Sequence, residues 1–79
     1  MIEIAGQSYE GIIGSDVARN GMFLEVSDAQ NALIATIYFF DRDGSMNFTG
    51  HRPDIPLPLI EWMIVTAKER LVRASDNDR

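Results

Sequence analysis

From Leu33 to Phe40 the chain is an apolar run, Leu-Ile-Ala-Thr-Ile-Tyr-Phe-Phe, and from Met46 to Gly50 apolar and polar residues alternate. The first stretch is rich in β-branched and aromatic residues and has no Gly or Pro. The turn-forming segment Asp41-Arg-Asp-Gly44 separates the two. This is the pattern of a β-hairpin at the centre of an antiparallel sheet. If all of Asp41–Gly44 is loop, Phe39 faces Met46 and Ile37 faces Phe48; if only Asp43-Gly44 forms a type I′ turn, Phe39 faces Phe48 and Ile37 faces Gly50. A three-residue loop is rejected, because it sets Phe39 and Ile37 beside Asn47 and Thr49. Both surviving registers give the same faces. One collects Leu33, Ala35, Ile37, Phe39, Met46 and Phe48 and reads as core. The other collects Ile34, Thr36, Tyr38, Phe40, Asn47, Thr49 and His51, and is too apolar for an ordinary solvated face.

Upstream, Ile2–Ile4 and Tyr9–Ile13 read as short extended pieces around an Ala5–Ser8 turn. Asn20-Gly21 is the strongest local turn signal, a type I′ hairpin joining Ser15–Arg19 to Met22–Val26. It predicts Val17 opposite Leu24 and Ala18 opposite Phe23. Met22, Leu24 and Val26 then point to the core, with Leu24 beside Ala35, and Phe23 joins the second face. Downstream, Pro53 ends the sheet and Pro56-Leu-Pro58 opens a helix that runs to Val72 or Arg73. At about 100° per residue, Leu57, Ile60, Met63, Ile64, Ala67 and Leu71 form the stripe that should cover the first face. Trp62, Val65 and Val72 then fall on the back of the helix.

The elements predict an α+β fold: an antiparallel β-meander of three to five strands with one C-terminal helix packed on one face. A single domain should span residues 1–73, with 74–79 a frayed polar tail. At 79 residues the chain buries only about 60% of its unfolded surface. It has no Cys, so neither a disulfide nor a thiolate metal site reinforces it. That leaves oligomerisation as a route to stability. A homodimer is therefore expected, through Trp62, Val65 and Val72 first, or through Phe23, Ile34, Tyr38 and Phe40.

Formal net charge is −5, and the basic residues are scattered. This excludes a nucleic-acid backbone binder. No apolar run is long enough to span a membrane. The opening Met-Ile-Glu-Ile lacks the charged start of a signal peptide, which favours the cytoplasm. Asp41-Arg-Asp43-Gly44 lacks the ligand spacing of a calcium loop and is explained by its turn, so neither metal nor cofactor is expected. His51, the single His, has no nucleophile or carboxylate at a recognisable spacing, so no catalytic residue is assigned and the chain reads as a non-enzyme. Tyr38, Asn47, Thr49 and His51 could line a small-ligand site, or form the polar part of a protein interface, which we favour.

The segment from Pro53-Asp-Ile-Pro-Leu-Pro-Leu-Ile-Glu-Trp62 to Ala67-Lys-Glu-Arg-Leu71, placed after a strand meander, resembles small uncharacterised bacterial proteins of the kind carried by mobile integron gene cassettes. The resemblance implies layout and no residue roles. The function expected is a non-enzymatic homo-oligomeric or protein-interaction module. The alternatives are an acidic immunity or antitoxin-type inhibitor of a basic protein, and a small-ligand binder on the second sheet face.

Overall fold

A computed structural model describes residues 1–76, with side chains as far as Val72. Among the described residues five antiparallel strands follow in chain order, β1 (Ile2–Ile4), β2 (Gln7–Asp16), β3 (Gly21–Asp28), β4 (Leu33–Phe40) and β5 (Met46–Gly50), and one helix, α1 (Leu57–Asp76), comes after them. The sheet order is also β1 to β5, so every connection is local and the fold is the α+β meander expected. The helix outruns its predicted end. Residues 74–76 belong to α1, and the rest of the expected tail, 77–79, lies outside the described residues.

The β4–β5 hairpin takes the longer of the two loops. Phe39 pairs with Met46 and Ile37 with Phe48. Asp43 closes the turn by accepting the Ser45 N–H at 3.0 Å and the Ser45 hydroxyl at 2.8 Å, which holds its carboxyl below the usual carboxylate range.

The β2–β3 hairpin departs from expectation. β2 is one ten-residue strand, and its turn is Val17–Asn20 rather than Asn20-Gly21. Asn20 supplies the positive φ (55°). Gly21 is already in the strand and pairs with Asp16, so Leu24 faces Ile13 and Phe23 faces Gly14. On the other side Leu24 pairs with Ile37 rather than Ala35, a slip of two that keeps every side chain on its face.

One bulge changes the faces. Val26 pairs with Ala35 but Ser27 pairs with Leu33, so β4 carries an extra residue, Ile34. Ile34 and Ala35 therefore both enter the core, each fully buried, and Leu33 turns outward. This removes Ile34 from the exposed interface candidates and Leu33 from the core.

The core combines Leu24, Val26, Ile34, Ala35, Ile37 and Phe39 with Tyr9 of β2 and Leu59, Met63, Ala67 and Leu71 of α1. The buried stripe of α1 thus steps by four residues from Leu59. Its centre is rotated by about 45° from that of the predicted stripe, with which it shares Met63, Ala67 and Leu71, at 100° per residue. Gly11 explains the rotation. Its missing side chain leaves a gap in β2 that Trp62 fills, with Cη2 3.1 Å from where a Cβ would stand. An indole buries more area than any aliphatic side chain, so the helix turns Trp62 inward. Trp62 and Val72 pack against the core instead of forming an exposed helix back, while Val65 stays 57% exposed. Ile64 and Phe48, expected inside, are 42% and 44% exposed.

Candidate functional site

α1 lies over β3 and β4, and Trp62 draws it toward β2. The core side of β5 is left uncovered. The result is a groove of about 140 Å³ lined by Ile37, Met46, Phe48, Ile64, Ala67 and the rim residue Lys68, with Asn47 at its edge. Leu57 lies seven residues before Ile64 on the same helical flank and is 65% exposed. Of the chain's exposed large apolar side chains, Phe48, Leu57 and Ile64 are gathered along this one flank.

The groove adjoins an open sheet edge. Phe40 donates its N–H to the Ser45 carbonyl at 2.9 Å, and His51 donates its N–H to the Ile34 carbonyl at 2.8 Å. Hydrogen-bonded pairs recur at every second residue of an antiparallel ladder. Asn47 and Thr49 therefore turn their backbone groups toward β4, and Met46, Phe48 and Gly50 turn theirs outward. The two edges of the sheet are not equivalent. β1 has three residues and carries Glu3, which protects an edge, whereas β5 has five residues and neither charge nor Pro.

The opposite face of the sheet holds the other interface candidates, Phe23, Tyr38 and Phe40. Their rings are half-buried against their own sheet. Phe23 lies on Gly14 and Tyr38 on Gly21, with ring atoms 2.5 and 2.4 Å from the positions a Cβ would take. The Tyr38 and Phe40 centroids are 4.7 Å apart, and the Arg19 guanidinium sits 4.9 Å from the Tyr38 centroid. The aromatic content that made this face look unfinished is spent on covering two glycines.

The Tyr38 hydroxyl is shut off from water, with the Asp16 carboxylate beside it but no well-formed hydrogen bond. Burial raises its pKa above the ordinary 10.0, Asp16 adds to the rise, and Arg19 opposes it. The stability held in this site is whole below pH 10.0 and falls as pH rises from there through the raised folded value. Subtracting the phenolate absorbance titration of Tyr38→Phe from that of the parent should leave a phenol titrating above 10.0. A difference curve centred at or below that value contradicts the packing of the ring.

Of the ligand candidates, Asn47 pairs with Tyr38 and Thr49 with Thr36, while His51 Nε2 and Thr36 Oγ1 share a 3.1 Å hydrogen bond. Asn47, Thr49 and His51 are exposed on an open sheet face. Beside them Arg52 reaches Asp28 at 3.4 Å, and Asp28 also accepts the N–H groups of Gln30 and Ala32 at 2.9 Å. These contacts tie the end of β5 to the β3–β4 turn. His51→Gln should leave the unfolding free energy from urea denaturation within about 0.5 kcal/mol of the parent, as expected for an exposed polar position. A larger loss would mean that the Thr36 bond anchors the strand end.

Among the described residues no group of three or more His, Cys, Asp or Glu could hold a metal ion, and no helix is long and apolar enough to cross a membrane. No family model, curated protein or solved structure matches the chain.

Proposed function

We propose that this chain is a small non-enzymatic protein-interaction module that takes its partner along the outer flank of β5 and the groove beneath α1. One observation carries the reading: an uncharged, unpaired strand edge lies directly beside the apolar groove, so a partner gains backbone hydrogen bonds and apolar burial in one step. Expected helix-back contacts through Trp62 and Val72 no longer support an interface, because those side chains serve the core. The half-buried rings of Phe23, Tyr38 and Phe40 give weaker support than Phe48, Leu57 and Ile64. The reading needs no nucleic acid, no cofactor and no membrane, and it suits a cytoplasmic protein like those its layout resembles.

A second reading, an acidic inhibitor of a basic protein, draws on one feature. β1, β2 and β3 contain no Lys or Arg, and Glu3, Glu10, Asp16 and Glu25 share their open face. Affinity capture from native extract separates the two. The parent, Phe48→Glu and Ile12→Glu are compared, with differently tagged copies expressed together so that self-capture registers. Phe48→Glu should lose the captured protein while Ile12→Glu, altered on the acidic face, keeps it. Capture that survives Phe48→Glu but is lost in Ile12→Glu or at raised salt would transfer the function to the acidic face.

A further inference from the structure

We infer that the partner on this flank is a second copy of the chain, added through β5 in an antiparallel register centred on Phe48, so that two five-stranded sheets become one. The inference rests on the reading that the β5 flank is the binding surface, and it names the occupant.

The backbone pattern selects the register. The outward groups of β5 belong to Met46, Phe48 and Gly50. A two-fold axis at Phe48 pairs Phe48 with its own copy and Met46 with Gly50 of the partner subunit. Each strand then donates three N–H groups and accepts three, and every outward group is used. Moving the axis by one residue in either direction keeps only two such pairs, because Gly50 then falls opposite Gly44, whose N–H goes to the Phe40 carbonyl, or Met46 falls opposite Arg52, beyond the end of β5.

Charge selects the occupant. The chain carries a net charge of −5, so a foreign partner of opposite sign would be drawn to its carboxylates. β5 has none. In this register a strand meets its own sequence reversed, so charges of one sign along it would be brought together across the axis. Met-Asn-Phe-Thr-Gly meets itself without repulsion.

The apolar surface agrees. A two-fold axis normal to the sheet keeps both helices on one side, so the two grooves open into each other over the paired Phe48 rings, each walled by an Ile64. The contact is modest. A standard interface takes about 800 Å² from each partner, against a total surface of 5320 Å². A five-residue strand and one groove supply less, which points to a dimer that dissociates in the micromolar range.

The native chain has no Cys, so introduced thiols report one contact. In the proposed register Asn47 lies opposite Thr49 of the partner subunit as a non-hydrogen-bonded pair, about 4.5 Å between Cα atoms. Two copies of Asn47, or two of Thr49, are offset along the strand beyond the ~7 Å limit for a disulfide. Both side chains are exposed, so folding is undisturbed. The parent should sediment as a monomer near 1 μM and as a dimer near 200 μM, and Phe48→Glu as a monomer throughout. Mild oxidation of Asn47→Cys mixed with Thr49→Cys should give at least fivefold more linked dimer than either alone.

A parent that stays monomeric at 200 μM overturns the inference. If Phe48→Glu nevertheless loses a captured protein, the interaction reading stands and only the second copy falls. A dimer whose single-variant samples link as well as the mixture overturns the register, and a dimer unaffected by Phe48→Glu overturns the surface itself.

Discussion

Replacing Met63 by Ala should lower the melting temperature by about 10–30 °C, while the same change at Ile64, one residue on, should lower it by only a few degrees. Met63 is fully buried in the centre of the α1 stripe, and Ile64 is 42% exposed at the mouth of the groove. Truncating a buried Met removes its transfer free energy and leaves a cavity, costing about 2–5 kcal/mol. A chain of this length has roughly 4–12 kcal/mol to lose, and a domain this size shifts by about 4–8 °C per kcal/mol. Ile64 keeps water on one side before and after truncation, leaves no closed cavity and should cost about 1 kcal/mol. The pair tests the helix phase directly. Equal losses, or a larger loss at Ile64, would return the helix to the phase its apolar spacing alone predicts.

That phase shows where periodicity stops being informative. Leu57, Ile60 and Ile64 are as apolar as Leu59 and Met63, so two stripes compete on the same helix, and composition along α1 does not choose between them. The choice is made by Gly11, some fifty residues away in sequence, through the gap it leaves for Trp62. A long-range fit of one ring into one missing side chain is invisible to a sliding window. Strand faces were legible because their period of two survives errors in register. Leu24 slips by two against β4 and still faces the core. The bulge at Ile34 inserts one residue rather than two, and so it inverts the faces of Leu33 and Ile34.

The candidate site was half legible for the same reason. The sequence pattern puts Phe48 on the correct face but its hairpin at the centre of the sheet, whereas β5 is an edge strand. The exposure of Phe48 follows from the rotation and placement of the helix, so the groove could not be read before the helix phase was known. Phe23 and Tyr38 on the second sheet face look surplus in the sequence because their partners, Gly14 and Gly21, resemble turn or strand-weakening residues. The signal that could have found them is parity. A Gly paired with an aromatic residue on one face is a seat for a ring.

Gly21→Ala should destabilise the chain by about 1–3 kcal/mol, the usual cost of overpacking, whereas Gly14→Ala should cost less than about 1 kcal/mol. Asn20-Gly21 resembles a turn dipeptide, yet Gly21 has no positive φ and is buried within β3. Conformational freedom is therefore not what this position needs. A Cβ on Gly21 would stand 2.4 Å from the Phe39 carbonyl oxygen and 2.4 Å from Tyr38 Cε1. The carbonyl is backbone within the β3–β4 ladder and cannot move without breaking pairs. The Tyr38 ring is held by Phe40 and Arg19. A Cβ on Gly14 would meet only Phe23, at 2.5 Å. That ring is half-exposed and can swing outward, and Ala also reduces the freedom of the unfolded chain, which offsets part of the cost. Urea denaturation at constant slope measures both losses. The phenolate titration adds a local readout, because lifting the Tyr38 ring off the sheet re-exposes its hydroxyl and lets its pKa fall back toward 10.0 in Gly21→Ala. A Gly14→Ala loss exceeding that of Gly21→Ala would mean that the Phe23 ring, and not Tyr38, is the fixed point of this face.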